Sequence, residues 1–566
     1  MTVTTRAAAR AALPVRRGGT PRSPWPALWA LVIGFFMILV DTTIVSVANP
    51  AIKAALDPDT TNLDNVIWVT SAYLLAYAVP LLITGRLGDR FGPKNIYLMG
   101  LAIFTLASFG AGMSQTLTVL IAFRAVQGVG ASLMTPQTMA VITRTFPPNQ
   151  RGAAMGLWGA TSGVAMLVGP LAGGLLVDGL GWEWIFFVNL PVGVLGFVMA
   201  WVLVPKLPTH PHRFDIVGVF LSAAALFFIV FGLQEGQKYN WGEIWGAVTV
   251  WELIGFGVVL LGAFLWQQAK TRSEALVPLG LFRDRNFAVS NLGIAVVGFT
   301  VTCMSLPFMF FLQLSRGLSP TQSALLMIPM AVLAGILSPF AGRLLDLVDS
   351  RLLLVPGIGL FAAALFWYAA LMNMDTPVWM FLLPSALMGI GSAGVWGPLA
   401  TTATRSLQPR QAGAGAGIYN TTRTMGSVLG SAAIASFMQA RLEANLPGSG
   451  SSTSAVGAGQ LPAPIAGPFG AAMAQSMLLP AIVMVAGVIV VLFMRHGRVA
   501  DWHGAHQGTA PIAVVDAPVV DAPVVAAPVV AAPVVAAPAA PNASPVSPLR
   551  RQNSSDPDRV APNRAR

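Results

Sequence analysis

Long apolar stretches separated by short polar segments run along most of the chain. A helix that crosses a bilayer needs about 20 predominantly apolar residues, and fourteen stretches of suitable length occur. They cover residues 27–48, 66–85, 97–115, 117–137, 152–176, 185–204, 215–233, 245–267, 288–313, 322–342, 352–372, 378–399, 413–436 and 474–494. Several contain glycine or proline, which membrane helices tolerate because neighbouring helices satisfy the freed backbone groups. The pattern therefore predicts an all-α polytopic membrane protein.

The composition agrees with lipid rather than water as the main solvent. The 566-residue chain is 55% hydrophobic and 10% charged, whereas soluble domains carry about 25% charged residues. The single cysteine, Cys303, argues against a disulfide framework and against a cysteine-based metal cage. The five histidines lie outside the apolar stretches, and the sequence contains no Gly-x-x-x-x-Gly-Lys-Ser/Thr phosphate loop. We therefore predict a protein that is not an enzyme and needs no metal or other cofactor.

Lysine and arginine fall predominantly on one side of the predicted membrane. With alternate loops assigned to the same side, 22 of these residues lie with the N-terminal segment, and the other side holds Lys53, Lys238, Arg316 and Arg441. Loops rich in Lys and Arg stay in the cytoplasm, so we predict a multi-pass protein of the cell membrane with both termini cytoplasmic. The net charge of +11 is scattered over these loops, which argues against nucleic acid as a partner.

Both ends of the chain are predicted to lie outside the membrane. Residues 1–26 form a basic segment that either orients the protein or imitates an organellar transit peptide. Residues 501–566 carry a five-residue repeat, and its regular prolines prevent a continuous helix. We predict a disordered cytoplasmic tail that is either passive or binds a partner. An outer loop is expected at about 437–473, and its segment 444–470 is rich in Gly, Ser and Pro.

A short loop after the second span combines glycine with opposite charges. Its sequence is Gly85-Arg-Leu-Gly-Asp-Arg-Phe-Gly-Pro-Lys94, and a looser copy, Gly342-Arg-Leu-Leu-Asp346, follows span ten. Such a loop can form a charged latch between helix ends, since glycine permits close backbone approach. Two similar loops at corresponding places indicate an internal repeat, the architecture of alternating-access transporters. The candidate latch residues are Gly85, Asp89, Arg90, Gly92, Lys94 and Asp346.

Further motifs occur in spans one, four, five and thirteen. They are Leu39-Val-Asp-Thr-Thr-Ile-Val-Ser-Val-Ala-Asn-Pro50, Arg124-Ala-Val-Gln-Gly-Val-Gly130, Gly169-Pro-Leu-Ala-Gly-Gly174 and Tyr419-Asn-Thr-Thr-Arg-Thr-Met-Gly426. Together with the glycine-rich loop they resemble the signature motifs of the major facilitator superfamily, in particular of its fourteen-helix drug:proton antiporters. Pro93 and Glu183 depart from the family pattern, which usually has a basic residue at both positions.

This resemblance implies the major facilitator fold, with two six-helix bundles at 27–204 and 288–500 and two inserted helices in a linker at 205–287. It also implies that a lipophilic small molecule leaves the cytoplasm in exchange for protons. By the same resemblance, five residues of span five form an antiporter hinge, although simple helix packing stays an alternative. They are Gly163, Gly169, Pro170, Gly173 and Gly174.

Asp41 and Arg124 are the clearest charged residues inside the N-terminal spans. Charges within membrane helices are costly and are functional by default. At 1.5 Å per residue, Asp41 lies ~21 Å into span one and Arg124 lies ~10 Å from the outer end of span four. The two are therefore predicted at similar depth. They either change their charge state as water access alternates, which couples protons to transport, or form a permanent salt bridge.

Five residues are candidates for a substrate cavity, which is typically apolar with few polar groups. They are Gln127, Trp158, Trp396, Asn420 and Arg423. Tryptophan also anchors helices at the membrane interface, and an arginine can extend to that interface, so both plainer interpretations stay open. Some members of the family that the chain resembles that export dicationic drugs have a carboxylate in span ten, and span ten of this chain contains no acidic residue. The resemblance therefore favours monocationic, neutral or lipophilic substrates over dications.

The sequence thus predicts a monomeric, proton-coupled exporter of lipophilic drugs or other small molecules that works by alternating access. One alternative keeps the fold and changes the cargo to an endogenous metabolite or lipid. Another, of a different class, is a non-transporting membrane sensor or scaffold whose tail binds partners. Deleting residues 510–566 separates these classes, because intact efflux without the tail favours a transporter.

Overall fold

The computed structural model describes residues 23–56, 64–209, 215–236, 239, 241–246, 248–271, 275–345, 347–408, 411–446, 461 and 463–495. Residues 1–22 of the basic segment, the tail at 501–566 and the latch candidate Asp346 lie outside these residues. The described part of the chain is helical apart from one short hairpin and the connecting loops.

Eight helices make up what we call the first half. They are α1 (Trp25–Leu56), α2 (Asp64–Ala78), α3 (Leu81–Phe91), α4 (Pro93–Gly112), α5 (Leu117–Thr145), α6 (Pro148–Leu180), α7 (Trp184–Phe187) and α8 (Asn189–Leu203). An inserted pair follows, with a hairpin between its helices: α9 (Ile216–Glu235), β1 (Glu243–Trp245), β2 (Val248–Thr249) and α10 (Val250–Lys270). The two strands are antiparallel.

Nine helices make up what we call the second half. They are α11 (Arg285–Phe310), α12 (Pro320–Leu325), α13 (Ile328–Leu345), α14 (Ser350–Leu371), α15 (Leu382–Ala393), α16 (Trp396–Thr404), α17 (Ala412–Asn445), α18 (Ala463–Ser476) and α19 (Leu478–Leu492). A π-helical turn at Phe311–Ser315 extends α11, and short 3-10 turns occur at Leu279–Arg283 and Val378–Phe381.

Polar residues at the predicted loop ends start several of these helices. Thr116 accepts a hydrogen bond from the backbone of the first turn of α5, and Asp215 does the same for α9. Thr249 and Glu252 form a reciprocal capping box at the start of α10. Such caps satisfy backbone N–H groups that have no partner within the helix, and they fix where each helix begins.

Twelve helical segments of the described chain are long and apolar enough to cross a membrane. The helices α2 and α3 meet at a bend of 47° and form a thirteenth span when taken together. The remaining predicted span corresponds to α17, which has 34 residues but is rich in Gly, Ser and Thr. The all-α polytopic fold is confirmed, and the number of fourteen spans stays a prediction.

The predicted loop at 437–473 is shorter in the structure. Helix α17 continues to Asn445, and α18 begins at Ala463. Phe469 and Met473 of α18 are buried in the core of the second half, and a Cβ on Gly470 would lie 3.2 Å from the ring of Phe311. Burial of these side chains stabilises a helix in a segment whose Gly and Pro content alone predicts a loop.

Several helices connect the halves. Helix α6 packs against α1 of the first half and against α13 and α16 of the second half. On another flank, the inserted helix α9 contacts both α2 and α17. There the fully buried Val230 of α9 joins Leu75 and Ala78 of α2 and Val428 of α17 in one apolar cluster. The predicted inserted pair therefore lies beside the boundary between the halves.

Candidate functional site

Asp41 and Arg124 form a direct ion pair inside the first half. Arg124 Nη1 donates to Asp41 Oδ2 over 2.6 Å, and both side chains are 0% exposed. Asp41 lies near the middle of α1, and Arg124 lies in the third turn of α5. The prediction that the two residues share one depth is thus matched by direct contact. A buried pair of this kind stays ionised only when further hydrogen bonds satisfy its remaining polar atoms.

Two amides complete the coordination of the Asp41 carboxylate. Gln127 Nε2 and Asn189 Nδ2 both donate to Asp41 Oδ1, over 2.9 and 3.0 Å. Asn189 also donates to Ser108 Oγ over 3.1 Å, and this hydroxyl in turn donates to the Phe186 carbonyl. Asp41 therefore has three donors from three different side chains, which come from α5 and α8. We call Asp41, Arg124, Gln127 and Asn189 the carboxylate network.

Gln127 is predicted as a cavity residue, and Asn189 has no predicted role. The structure places Gln127 in the carboxylate network, one helical turn after Arg124, and its Oε1 accepts from Arg124 Nη1 over 2.7 Å. Asn189 is a strongly polar residue in an apolar span, and that signal alone marks it for attention. Its partner could not be read from the sequence, because helix rotation decides which side chains meet.

Arg124 has contacts that do not depend on Asp41. Its Nε donates to the Val69 carbonyl over 3.1 Å, and its guanidinium lies 4.2 Å from the ring centre of Tyr73. The ring of Phe186 lies 5.8 Å away. A guanidinium over an aromatic face gains a favourable electrostatic interaction. Arg124 is therefore held in place by the protein even if the charge of Asp41 is removed.

The latch residue Asp89 connects the two halves. It lies near the end of α3, and its carboxylate accepts from the backbone N–H of Gly413 and of Ala414, each over 3.1 Å. These groups belong to the first turn of α17, where unpaired N–H groups and the helix dipole favour an anion. Arg86 lies 4.0 Å from the same carboxylate. Asp89 thus caps a helix of the other half.

The other latch candidates lie around this contact. Arg90 stacks on the ring of Phe91, and Lys94 Nζ donates to the Trp201 carbonyl of α8 over 2.5 Å. Gly92 has φ +89°, a backbone conformation that favours glycine, and it separates α3 from α4. Among these residues, Asp89 contacts the other half through its hydrogen bonds to Gly413 and Ala414.

The two copies of the glycine-rich loop make equivalent contacts between the halves. A Cβ on Gly85 of α3 would clash with the Gly413 carbonyl of α17, and a Cβ on Gly342 of α13 would clash with the Gly152 carbonyl of α6. In both cases a glycine of the loop motif packs on the first turns of a helix from the other half. The internal repeat predicted from sequence therefore has a structural counterpart.

The hinge candidates distribute along α6. A Cβ on Gly163 would lie 3.3 Å from Ala334 of α13, and one on Gly169 would clash with the Thr43 hydroxyl of α1. Gly174 lies opposite Thr321, with 3.7 Å between an added Cβ and the hydroxyl. Pro170 interrupts the backbone hydrogen bonds of α6, and Gly173 is buried beside it. These residues bring α6 close to helices of both halves.

Three of the cavity candidates lie in the core that joins the halves. Trp158 is 0% exposed and stacks on Phe35, with ring centres 4.8 Å apart. Trp396 of α16 packs against Gly159, next to Trp158 in the chain. Asn420 of α17 is also fully buried, and its Nδ2 donates to the Ala416 carbonyl over 2.9 Å. Trp158 Nε1 and Asn420 Oδ1 have no hydrogen-bond partner among the described residues.

Arg423 reaches the first half from α17. Its Nη2 donates to Tyr77 Oη over 3.3 Å, and Tyr77 Oη donates to Thr135 Oγ1 over 3.3 Å. Tyr77 also stacks parallel to Tyr73, with ring centres 6.2 Å apart. Arg423 thus points to the boundary between the halves rather than to the membrane interface. Within the described residues, no group of three or more His, Cys, Asp or Glu side chains could hold a metal ion.

Comparisons with known proteins agree with this architecture. The family model of the Major Facilitator Superfamily matches residues 31–431. An uncharacterised MFS-type transporter of Mycobacterium tuberculosis is 50% identical over 500 residues, which cover 88% of this chain and 84% of the relative. The tetracenomycin C resistance and export protein of Streptomyces glaucescens is 31% identical over 438 residues, 75% of this chain and 79% of the relative.

A solved structure shows the same fold. The proton:xylose symporter XylE superposes with a TM-score of 0.54 at 13% identity, and the match covers 82% of this chain and 95% of the symporter. The helical architecture, the repeated loop contacts and the match of the family model along most of the membrane region lead to one conclusion. The chain is a membrane transporter that belongs to the major facilitator superfamily.

Proposed function

We propose that this transporter exports lipophilic small molecules from the cytoplasm in exchange for protons. The observation that carries the proposal is the fully buried carboxylate of Asp41, paired with Arg124 and surrounded by amide donors. A buried carboxylate in a membrane helix is costly, and a proton is the simplest species that changes its charge. The similarity to an antibiotic export protein supports the direction of transport.

The carboxylate network has two charge states. With Asp41 ionised, its charge cancels that of Arg124. When Asp41 binds a proton the ion pair is lost, and the buried site carries the charge of Arg124 alone. Leaving one charge of a buried pair without its partner costs about 3–5 kcal/mol. Protonation therefore favours a conformation in which water reaches Arg124.

The latch supplies a second conformational element. In this structure Asp89 holds the first turn of α17 against α3, on the side predicted to be cytoplasmic. Opening that side breaks two charge-assisted hydrogen bonds and separates Gly85 from Gly413. In our proposal, Asp41 releases its proton toward the cytoplasm in the same half of the transport cycle in which this latch opens.

Reconstituted liposomes test the proposal. Protein-containing vesicles receive a pH difference of either sign, and the uptake of a panel of lipophilic dyes is followed in each case. We expect the dye to move in the direction opposite to proton flow. In Asp41→Asn, dye transport should no longer depend on the pH difference. Asp375→Asn, at an exposed loop carboxylate, is the matched control and should retain this dependence. Unchanged gradient-driven transport by Asp41→Asn would contradict the proposal.

A further inference from the structure

Three charged side chains lie well inside the described spans: Asp41, Arg124 and Arg423. Asp41 and Arg124 neutralise one another. Arg423 forms no ion pair with a carboxylate of the described residues, and its side-chain hydrogen bond goes to the Tyr77 hydroxyl. The boundary between the halves therefore carries one positive charge that the described protein does not balance.

The hydrogen bonds around Arg423 leave donors free for a ligand. Tyr77 donates its proton to Thr135, and Thr135 donates to the Ala131 carbonyl over 3.1 Å, so Tyr77 faces Arg423 as an acceptor. The contact uses Nη2, and the other guanidinium nitrogens of Arg423 make no hydrogen bond in the described structure. A planar guanidinium with free N–H groups binds an oxyanion through two parallel hydrogen bonds.

A second donor lies one helical turn away. Tyr419 precedes Arg423 by four residues on α17, so both side chains lie on one face of that helix. Tyr419 is 0% exposed, and its hydroxyl has no hydrogen-bond partner in the part of the chain that the structure describes. A buried hydroxyl without a partner is costly, and a cargo oxygen would satisfy it.

We propose that Arg423 and Tyr419 form a receptor for one anionic oxygen group of the cargo, such as a carboxylate. The inference rests on the proposed function and narrows its substrate class to lipophilic molecules with an acidic group. The absence of acidic residues from span ten leaves monocationic, neutral and lipophilic substrates possible. Monocations are now disfavoured as well, because an unbalanced guanidinium repels them. A neutral or cationic analogue of the same molecule is transported less well.

Two dyes that differ in one group test the receptor. Rhodamine 110 carries a carboxylate, and rhodamine 123 is its methyl ester. Uptake into proteoliposomes is measured for both under an imposed pH difference, with the membrane potential clamped at zero by potassium and valinomycin. We expect the KM of the acid to be at least about tenfold lower than that of the ester, the factor that one charge-assisted hydrogen bond supplies. Arg423→Gln should abolish this preference, and Arg423→Lys should retain part of it.

Two further variants separate recognition from structure. Tyr77→Phe removes the hydrogen bond between α17 and α2 and leaves the charge, so the preference should persist. Arg441→Gln makes the same change on the same helix, ~27 Å nearer its other end, and should behave like the wild type. Equal transport of both dyes by the wild type, or an equal loss of both in Arg423→Gln, would overturn the inference and leave proton-driven export intact. If neither dye responds to the pH difference, the proposed function fails as well.

Discussion

Asp89 accepts a hydrogen bond from the backbone N–H of Gly413, so a carboxylate of the first half caps a helix of the second half. The capped turn belongs to α17, the helix that also carries Arg423. The hydrogen bond of Asp89 therefore depends on the relative position of the halves. Changes at this contact should alter conformational balance without touching the carboxylate network.

We expect Asp89→Asn to weaken the closed state by about 1–2 kcal/mol, because the charge at the helix N-terminus is lost. The measurement uses a cysteine at Ala416, which is fully buried at the boundary, in a Cys303→Ser background. Its alkylation rate should rise several-fold in Asp89→Asn. Asp349→Asn removes a carboxylate that caps its own helix, α14, and should leave the rate unchanged. An unchanged rate in Asp89→Asn would show that the contact does not hold the halves together.

Alanine at Gly85 or at Gly342 should slow transport at least tenfold, because each added methyl group clashes with a carbonyl of the other half. The matched control is Gly359→Ala, where an added Cβ meets no atom within 4 Å. That variant should transport normally, with stability equal to or higher than the wild type. The test compares the initial transport rates of the three variants, with equal amounts of each protein reconstituted into liposomes. If Gly342→Ala behaves like Gly359→Ala, the two loop copies are not functionally equivalent.

Trp158→Ala should lower the free energy of unfolding in detergent by about 3–5 kcal/mol, as expected for a buried tryptophan that stacks on another ring. Trp158→Phe should cost far less, because the indole N–H has no partner in the described structure. Chemical denaturation gives both values. A raised KM in Trp158→Phe with unchanged stability would instead assign the N–H to the cargo.

The bond between Asn189 and Asp41 can be tested by a double-mutant cycle. Asn189→Ala alone should reduce proton-driven transport, because it removes a donor from the buried carboxylate. In the Asp41→Asn background the same change should have little further effect. Additive losses in the double variant would mean that Asn189 acts on helix packing and not through Asp41. Ser108→Ala, which leaves the bond to Asp41 in place, serves as the control.

Arg316 offers a change that affects stability alone. Its Nη1 donates to the carbonyls of Asn373, Met374 and Thr376 over 2.8–3.0 Å and so fixes the loop after α14. Arg316→Ala should lower the unfolding free energy by about 1–3 kcal/mol while the pH dependence of transport stays the same. An altered response to the proton gradient would reveal an unexpected connection between this loop and the carboxylate network.

The hydrophobic pattern predicts most of the fold because each span must bury its backbone polar groups within its own helix. Depth along a helix is also readable, since the rise per residue is constant, and it places Asp41 and Arg124 together correctly. The rotation of each helix about its own axis, however, cannot be predicted from the sequence. The sequence therefore gives no means to see that Asn189 faces Asp41, that Gln127 belongs to the same network, or that Arg423 meets Tyr77. The sequence does not predict the helix at 463–476 for a similar reason, because the burial of Phe469 and Met473 that stabilises it depends on partners distant in the chain.

The inserted helix α9 makes the two sides of the molecule unequal. By packing Val230 against both α2 and α17, it covers the junction of the halves on one flank, whereas on the other flank α6 and α13 form the junction. In the proposed export of lipophilic molecules, a cargo that approaches the centre from the lipid would meet α9 on one flank and the contact between α6 and α13 on the other. The inserted pair therefore makes the two lateral approaches to the junction unequal.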